Sequence, residues 1–105
     1  MGENNTREPH GLTVSPGELL RDEFLGPLGI TAYRLAKEIH VPAGRIGQIL
    51  HGQRSITADT DLRLCRFFGL SEGYWLRAQN AYDLEVARAR IADELDGISP
   101  WSPAA

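Results

Sequence analysis

Two short amphipathic stretches, joined by a turn too brief to hold anything else, most constrain what this chain can fold into. In residues 32–39, Leu35, Ala36 and Ile39 share one face at helical spacing, Tyr33, Arg34 and Lys37 share the opposite one, and Thr31 stands at the capping position. His40-Val41 then makes a tight turn with an aliphatic pivot. Pro42 stands where proline opens a helix, Ile46, Ile49 and Leu50 repeat the period over 42–51, and Gly52 marks the stop.

The flanking sequence is helical throughout by the same criteria. Ser15-Pro16-Gly17-Glu18 reads as an N-cap, a first-turn proline and a capping-box glutamate, opening a helix to about Leu25. Its expected apolar stripe is Leu20, Phe24 and Leu28, with Arg21, Asp22 and Glu23 in water and Gly26-Pro27 as the stop. Thr57 caps a fourth helix that places Asp59 and Asp61 at the positive end of its dipole, carries Leu62, Cys65 and Phe68 on its core face, and ends at Gly69. Ser71 is the expected cap of a long fifth helix ending at Asp96-Gly97. One stripe of that helix is Trp75, Ala78, Tyr82 and Val86; a second, rotated around the axis, is Leu84, Ala87, Ile91 and Leu95. Two stripes imply two packing partners. The expectation is an all-α, five-helix domain over 15–96 with an extended C-terminal helix, a flexible polar arm over 1–14 and a short tail over 97–105.

With 105 residues, 42% of them apolar, the chain suits one domain with a core of its own. A lone cysteine, Cys65, forms no bridge within the chain and agrees with a reducing cytoplasm. No stretch has the apolar length of a membrane span, and the first residues have no hydrophobic signal region, so neither a membrane partner nor export is expected. The myristoylation-like Met1-Gly2…Thr6 and the glycosylation-like Asn4-Asn5-Thr6 lack the companions that make such motifs meaningful. Net charge is −3, but unevenly spread: residues 1–30 carry −3, 31–58 carry +3, 59–81 balance and 82–105 carry −3. Local field rather than net charge decides where a polyanion docks. His10, His40, His51 and Cys65 match no zinc spacing, so no metal, cofactor or catalytic role is expected of them, and the chain does not read as an enzyme.

Helices at 32–39 and 42–51 with that pivot have the spacing of a helix-turn-helix. Matches extend well beyond it: Pro16-Gly17-Glu18, Glu23-Phe24-Leu25, Pro27-Leu28-Gly29-Ile30, Leu35-Ala36, Val41-Pro42, Arg45-Ile46, Gly52 with Arg54, Ile56-Thr57-Ala58-Asp59-Thr60, Leu62-Arg63-Leu64, Phe67-Phe68-Gly69 and Trp75-Leu76 with Gln79. Over about residues 14–89 the chain resembles the HigA-type antitoxins of bacterial toxin–antitoxin modules, which carry a lambda-repressor-like helix-turn-helix. The resemblance implies a homodimer that binds a palindromic operator, represses its own operon, and holds a ribonuclease toxin of the HigB/RelE-like kind inactive. It departs from many members in placing Ala43, Gly44 and Gly47, rather than polar side chains, on the second helix of the motif, and Ala32 where related folds often have glutamine.

In such a motif the second helix enters the major groove N-terminal end first, so Ala43, Gly44, Arg45 and Gln48 are the candidate base-facing residues. Gln48 suits adenine, Arg45 guanine or a phosphate, and Ala43 a thymine methyl. Arg34, Lys37 and Arg54 are candidate phosphate contacts, set against the plainer reading of a solvated charged face. The glycines fit either close approach of backbone to DNA or a weakened motif. Leu84, Ala87, Ile91 and Leu95 are the candidate dimer interface, and the acidic residues of 1–25 the candidate toxin contact. Alternatives are a stand-alone regulator of the same fold and a protein-interaction module with degenerate DNA binding.

Overall fold

The computed structural model describes residues 14–103. All of the expected N-terminal arm except Val14, including His10 and the two modification-like motifs, lies outside the described residues. Within them the chain is helical, with no strand. Helix α1 occupies 16–28 in three continuous pieces: an α-helical turn (Pro16–Leu19), a π-helical segment (Leu20–Leu25) and a final turn (Gly26–Leu28). It is followed by α2 (Ala32–Ile39), α3 (Ala43–Leu50), α4 (Ala58–Phe68), α5 (Tyr74–Arg90) and α6 (Ala92–Asp96).

The capping box at the start of α1 is formed in full: the Glu18 N–H donates to Ser15 Oγ at 3.2 Å, and the Ser15 N–H to Glu18 Oε1 at 3.0 Å. Gly26-Pro27 does not stop the helix, contrary to expectation. The Gly26 N–H reaches back five residues to the Arg21 carbonyl, and this wider turn takes the proline ring where an α-helical turn would press it against a carbonyl. Helix α1 ends instead at Gly29, in the left-handed region at φ 68°. The wider turn also shifts the buried face. Leu20 and Leu25, five apart, are buried, Phe24 is half-buried, and Leu28, expected inside, is exposed.

Leu35, Ala36 and Ile39 of α2 and Ile46 and Ile49 of α3 are buried as their period requires. Gly17 brings α1 directly against α3: a Cβ there would collide with the Ile49 carbonyl oxygen, so no larger residue fits without parting the helices. Helix α4 corrects a second expectation. Leu62 is 47% exposed, whereas Leu64 is fully buried beside Cys65. The core side of α4 is in fact Asp61, Leu64, Cys65 and half-buried Phe68, a stripe at i, i+3, i+4 and i+7 in which the first member is a carboxylate. Its apolar neighbour Leu62 therefore points outward.

Asp61 is inside because it caps α5. Its Oδ2 accepts the Gly73 N–H at 2.7 Å, and its Oδ1 accepts the N–H groups of Trp75 at 2.8 Å and Leu76 at 3.2 Å. The helix starts after Gly73, at φ 95°, and not at Ser71, because the carboxylate from α4 supplies what the serine was expected to supply. Trp75 is fully buried, and its ring lies 5.0 Å from that of Phe24, which lies 4.8 Å from Phe68. One turn beyond Trp75, Gln79 Oε1 accepts the Ile56 N–H at 3.0 Å and its Nε2 donates to Asp83 at 2.9 Å, fastening the α3–α4 loop to α5.

The expected continuous helix to Asp96 is broken at Ile91, with φ −114° and ψ 25°. Charge favours two ends there: Arg88 and Arg90 sit in the last turn of α5, at its negative pole, and Asp93 and Glu94 in the first turn of α6, at its positive pole. Every residue from 88 to 103 is exposed.

Candidate nucleic-acid interface

Helix α3 owes its accessibility to what its outer face lacks. Ala43, Gly44 and Gln48 are exposed, and a Cβ built on Gly44 or Gly47 meets no atom within 4 Å beyond the helix itself. Nothing in the folded chain requires either residue to be glycine, although each costs about 0.8–1.0 kcal/mol relative to alanine in a helix interior. The bare surface expected from the sequence is therefore a real recess in side-chain cover.

The cations are arranged less simply than their spacing suggests. Arg34 Nε is bonded to Glu38 Oε2 on the next turn of α2 at 2.7 Å. Lys37 is exposed and forms no ion pair with a described carboxylate. Arg45 is half-buried and reaches Asp59 at the start of α4, at 3.3 Å. Arg54 leans back onto α3, its Nε donating to Gln48 Oε1 at 2.9 Å. Of the seven residues proposed for DNA, the fold thus brings Ala43, Gly44, Gln48 and Arg54 onto one exposed surface and ties Arg45 to a neighbouring helix.

Sequence reasoning overlooked Arg63. Its Nε bonds Asp59 at 2.7 Å, while its Nη1 donates to the carbonyls of Ile39 at 2.9 Å and His40 at 3.2 Å. One side chain thereby satisfies the open C-terminal end of α2 and fixes the turn, where His40 adopts a left-handed φ of 62°. The signal available was the i,i+4 spacing of Asp59 and Arg63. The hydrogen bond from Arg63, reinforced by the charges of Arg63 and Arg45 against a smaller opposing effect of desolvation, holds the Asp59 carboxyl below its ordinary value.

Cys65 is buried, its Sγ 3.3 Å from the Ser71 carbonyl oxygen, in a structural position on α4. Among the described residues no helix is long and apolar enough to cross a membrane, and no three His, Cys, Asp or Glu residues gather as metal ligands.

The helix-turn-helix family model matches residues 20–75, which span α1 to the start of α5. Virulence-associated protein I of Dichelobacter nodosus is 53% identical over 74 residues, covering 70% of this chain and 68% of that protein. Antitoxin HigA-1 of Vibrio cholerae is 34% identical over 87 residues, covering 83% and 82% respectively. Among solved structures, Pseudomonas aeruginosa antitoxin HigA with the higBA promoter superposes at a TM-score of 0.80 with 37% identity, covering 85% of this chain and 98% of that one. Matches of this extent go well beyond the turn between α2 and α3, and on them the chain belongs to the helix-turn-helix family of HigA-type antitoxins.

Proposed function

We propose that this chain is an antitoxin that binds the operator of its own operon as a homodimer, with α3 in the major groove, and that it neutralises a cognate ribonuclease toxin. The observation that carries the DNA part is the exposed, sparsely covered face of α3 in a fold that matches an antitoxin solved with promoter DNA over 98% of that chain. Arg34, Lys37 and Arg54 supply positive charge around it, and Ala43, Gly44, Arg45 and Gln48 the approach to base edges. Measuring fluorescence anisotropy of the chain with its own promoter duplex and with a scrambled duplex, over a salt series, tests this. Tighter binding to the promoter and a steep salt dependence are expected; equal binding to both duplexes rejects operator recognition.

Dimerisation is supported by the C-terminal end. Leu84, Ile91 and Leu95 are exposed, continued by Ile98 and by Trp101 at 84% exposure, while Ala87 of the proposed interface is half-buried. A run of large apolar side chains in water favours a second surface to cover it. Light scattering at micromolar concentration is expected to give twice the chain mass, and Ile91→Asp to shift it toward the monomer. A monomeric wild type rejects the dimer.

The toxin contact is assigned to the acidic residues of 1–25, which leaves α3 free for DNA; charge complementarity with a basic ribonuclease surface is the physical motive. Co-expressing the toxin encoded beside this gene with the chain lacking residues 1–14 is expected to give a weaker complex. Unchanged affinity moves the contact elsewhere.

A further inference from the structure

Gln48 and Arg54 lie six positions apart, one on α3 and one in the loop after it, and were read from the sequence as a base contact and a phosphate contact acting separately. Their geometry joins them. Past α3 the chain turns back at Gly52, at φ 73°, with the Gly52 N–H on the Ile49 carbonyl at 3.1 Å and the Gln53 N–H on the Gln48 carbonyl at 2.7 Å. That reversal lays Arg54 beside Gln48, where Nε donates to Oε1 at 2.9 Å. Both side chains are exposed, and the bond lies on the surface that α3 presents outward.

We propose that Arg54 is a specificity-determining residue that works by orienting Gln48, so that the two read one base edge as a unit; this rests on the operator-binding reading above. The donor identifies the carboxamide oxygen, because a guanidinium N–H bonds an oxygen and not an amide NH2. A glutamine reads adenine by offering its oxygen and its NH2 together. Here the oxygen is turned to Arg54, and what the pair presents to a groove is the NH2 of Gln48 and the remaining N–H groups of Arg54. A surface of donors fits the acceptor pair N7 and O6 of guanine. The same bond restricts a glutamine side chain that is otherwise free to rotate, which reduces the ordering cost at the moment of docking.

A phosphate contact and a reading pair respond differently to one substitution. Arg54→Lys keeps the charge but lacks the planar fork that carries Nε. The chain is first presented with a randomised duplex pool; the duplex bound best by the wild type, every single-base variant of it and a random duplex are then titrated with wild type, Gln48→Ala, Arg54→Lys and the double variant. The pair predicts that Gln48→Ala and Arg54→Lys each reduce the preferred-to-random ratio by roughly 10- to 100-fold, and that the double variant is no worse than either. It predicts a similar salt slope for wild type and Arg54→Lys. The base pair to which Gln48→Ala becomes indifferent should contain guanine contacted on its major-groove edge. In the free protein, the Arg54 Nε–H resonance should exchange slowly and lose that protection in Gln48→Ala. A ratio preserved in Arg54→Lys, losses that multiply in the double variant, adenine at the read position, or an unprotected Arg54 Nε–H overturns the pair. A wild type without any sequence preference overturns the operator-binding reading together with it.

Discussion

Replacing Gly44 and Gly47 by alanine tests whether the bare face of α3 exists for what docks on it. Both glycines lie inside α3 with no positive φ, and an added Cβ meets nothing within 4 Å outside the helix. No steric penalty therefore offsets the gain in helix propensity. Each substitution should stabilise the free protein by about 0.8–1.0 kcal/mol, and the pair by about 1.6–2.0 kcal/mol if independent. At about 4–8 °C per kcal/mol for a domain of this size, the double variant should melt roughly 6–16 °C higher. Thermal unfolding followed by circular dichroism at 222 nm measures it. On the promoter duplex the sign should reverse, because Cβ atoms now stand where the helix backbone approaches DNA, and the double variant should bind more weakly despite its greater stability. An unchanged or lower melting temperature refutes the claim that the space around α3 is open. A higher melting temperature with full promoter affinity refutes the claim that docking needs the glycines.

Leu64→Ala should destabilise by about 2–5 kcal/mol and Leu62→Ala by under about 1 kcal/mol, since only Leu64 is buried; urea unfolding of the two variants measures the contrast, and equal losses would place the core of α4 wrongly. Asp61→Ala should cost about 2–4 kcal/mol, because it leaves the N–H groups of Gly73, Trp75 and Leu76 without their acceptor, and hydrogen exchange at those amides should rise in step. The Asp59 carboxyl, held below its ordinary value by Arg63 and Arg45, adds stability above the unfolded-state pKa that is lost as pH falls through the lower folded value. Its carboxyl carbon resonance should titrate below that of an unpaired aspartate and return toward it in Arg63→Ala.

The local signals that proved decisive were those whose cause lies within a few residues. The Ser15–Glu18 box, the Thr31 and Thr57 caps, and the glycine stop at Gly69 are contacts between near neighbours in the chain, so residue type and spacing were enough to place them. The buried faces of α2 and α3 followed from period alone, because each packs in an ordinary α-helical register. The family resemblance rested on those same elements, and the exposed face of α3 could be named from its small residues.

What distance along the chain hides, only the tertiary structure decided. Asp61 looked like a dipole partner for its own helix and is instead the cap of the next, a role that inverts the assignment of Leu62 and displaces Ser71. The π-helical segment of α1 exchanges Leu28 for Leu25 on the inner face, because one wide turn changes the period on which stripe counting depends. Arg63 closes α2 from 24 positions away, and Arg54 meets Gln48 only because the chain reverses at Gly52. Sequence alone determined where α2, α3 and α4 lie and that the outer face of α3 is bare, since both follow from short-range sterics and hydrogen bonding. That Asp61 opens α5 and Arg63 closes α2 was left to the packing of the helices, since a carboxylate or guanidinium finds a distant partner in space and carries no mark of that partner along the chain.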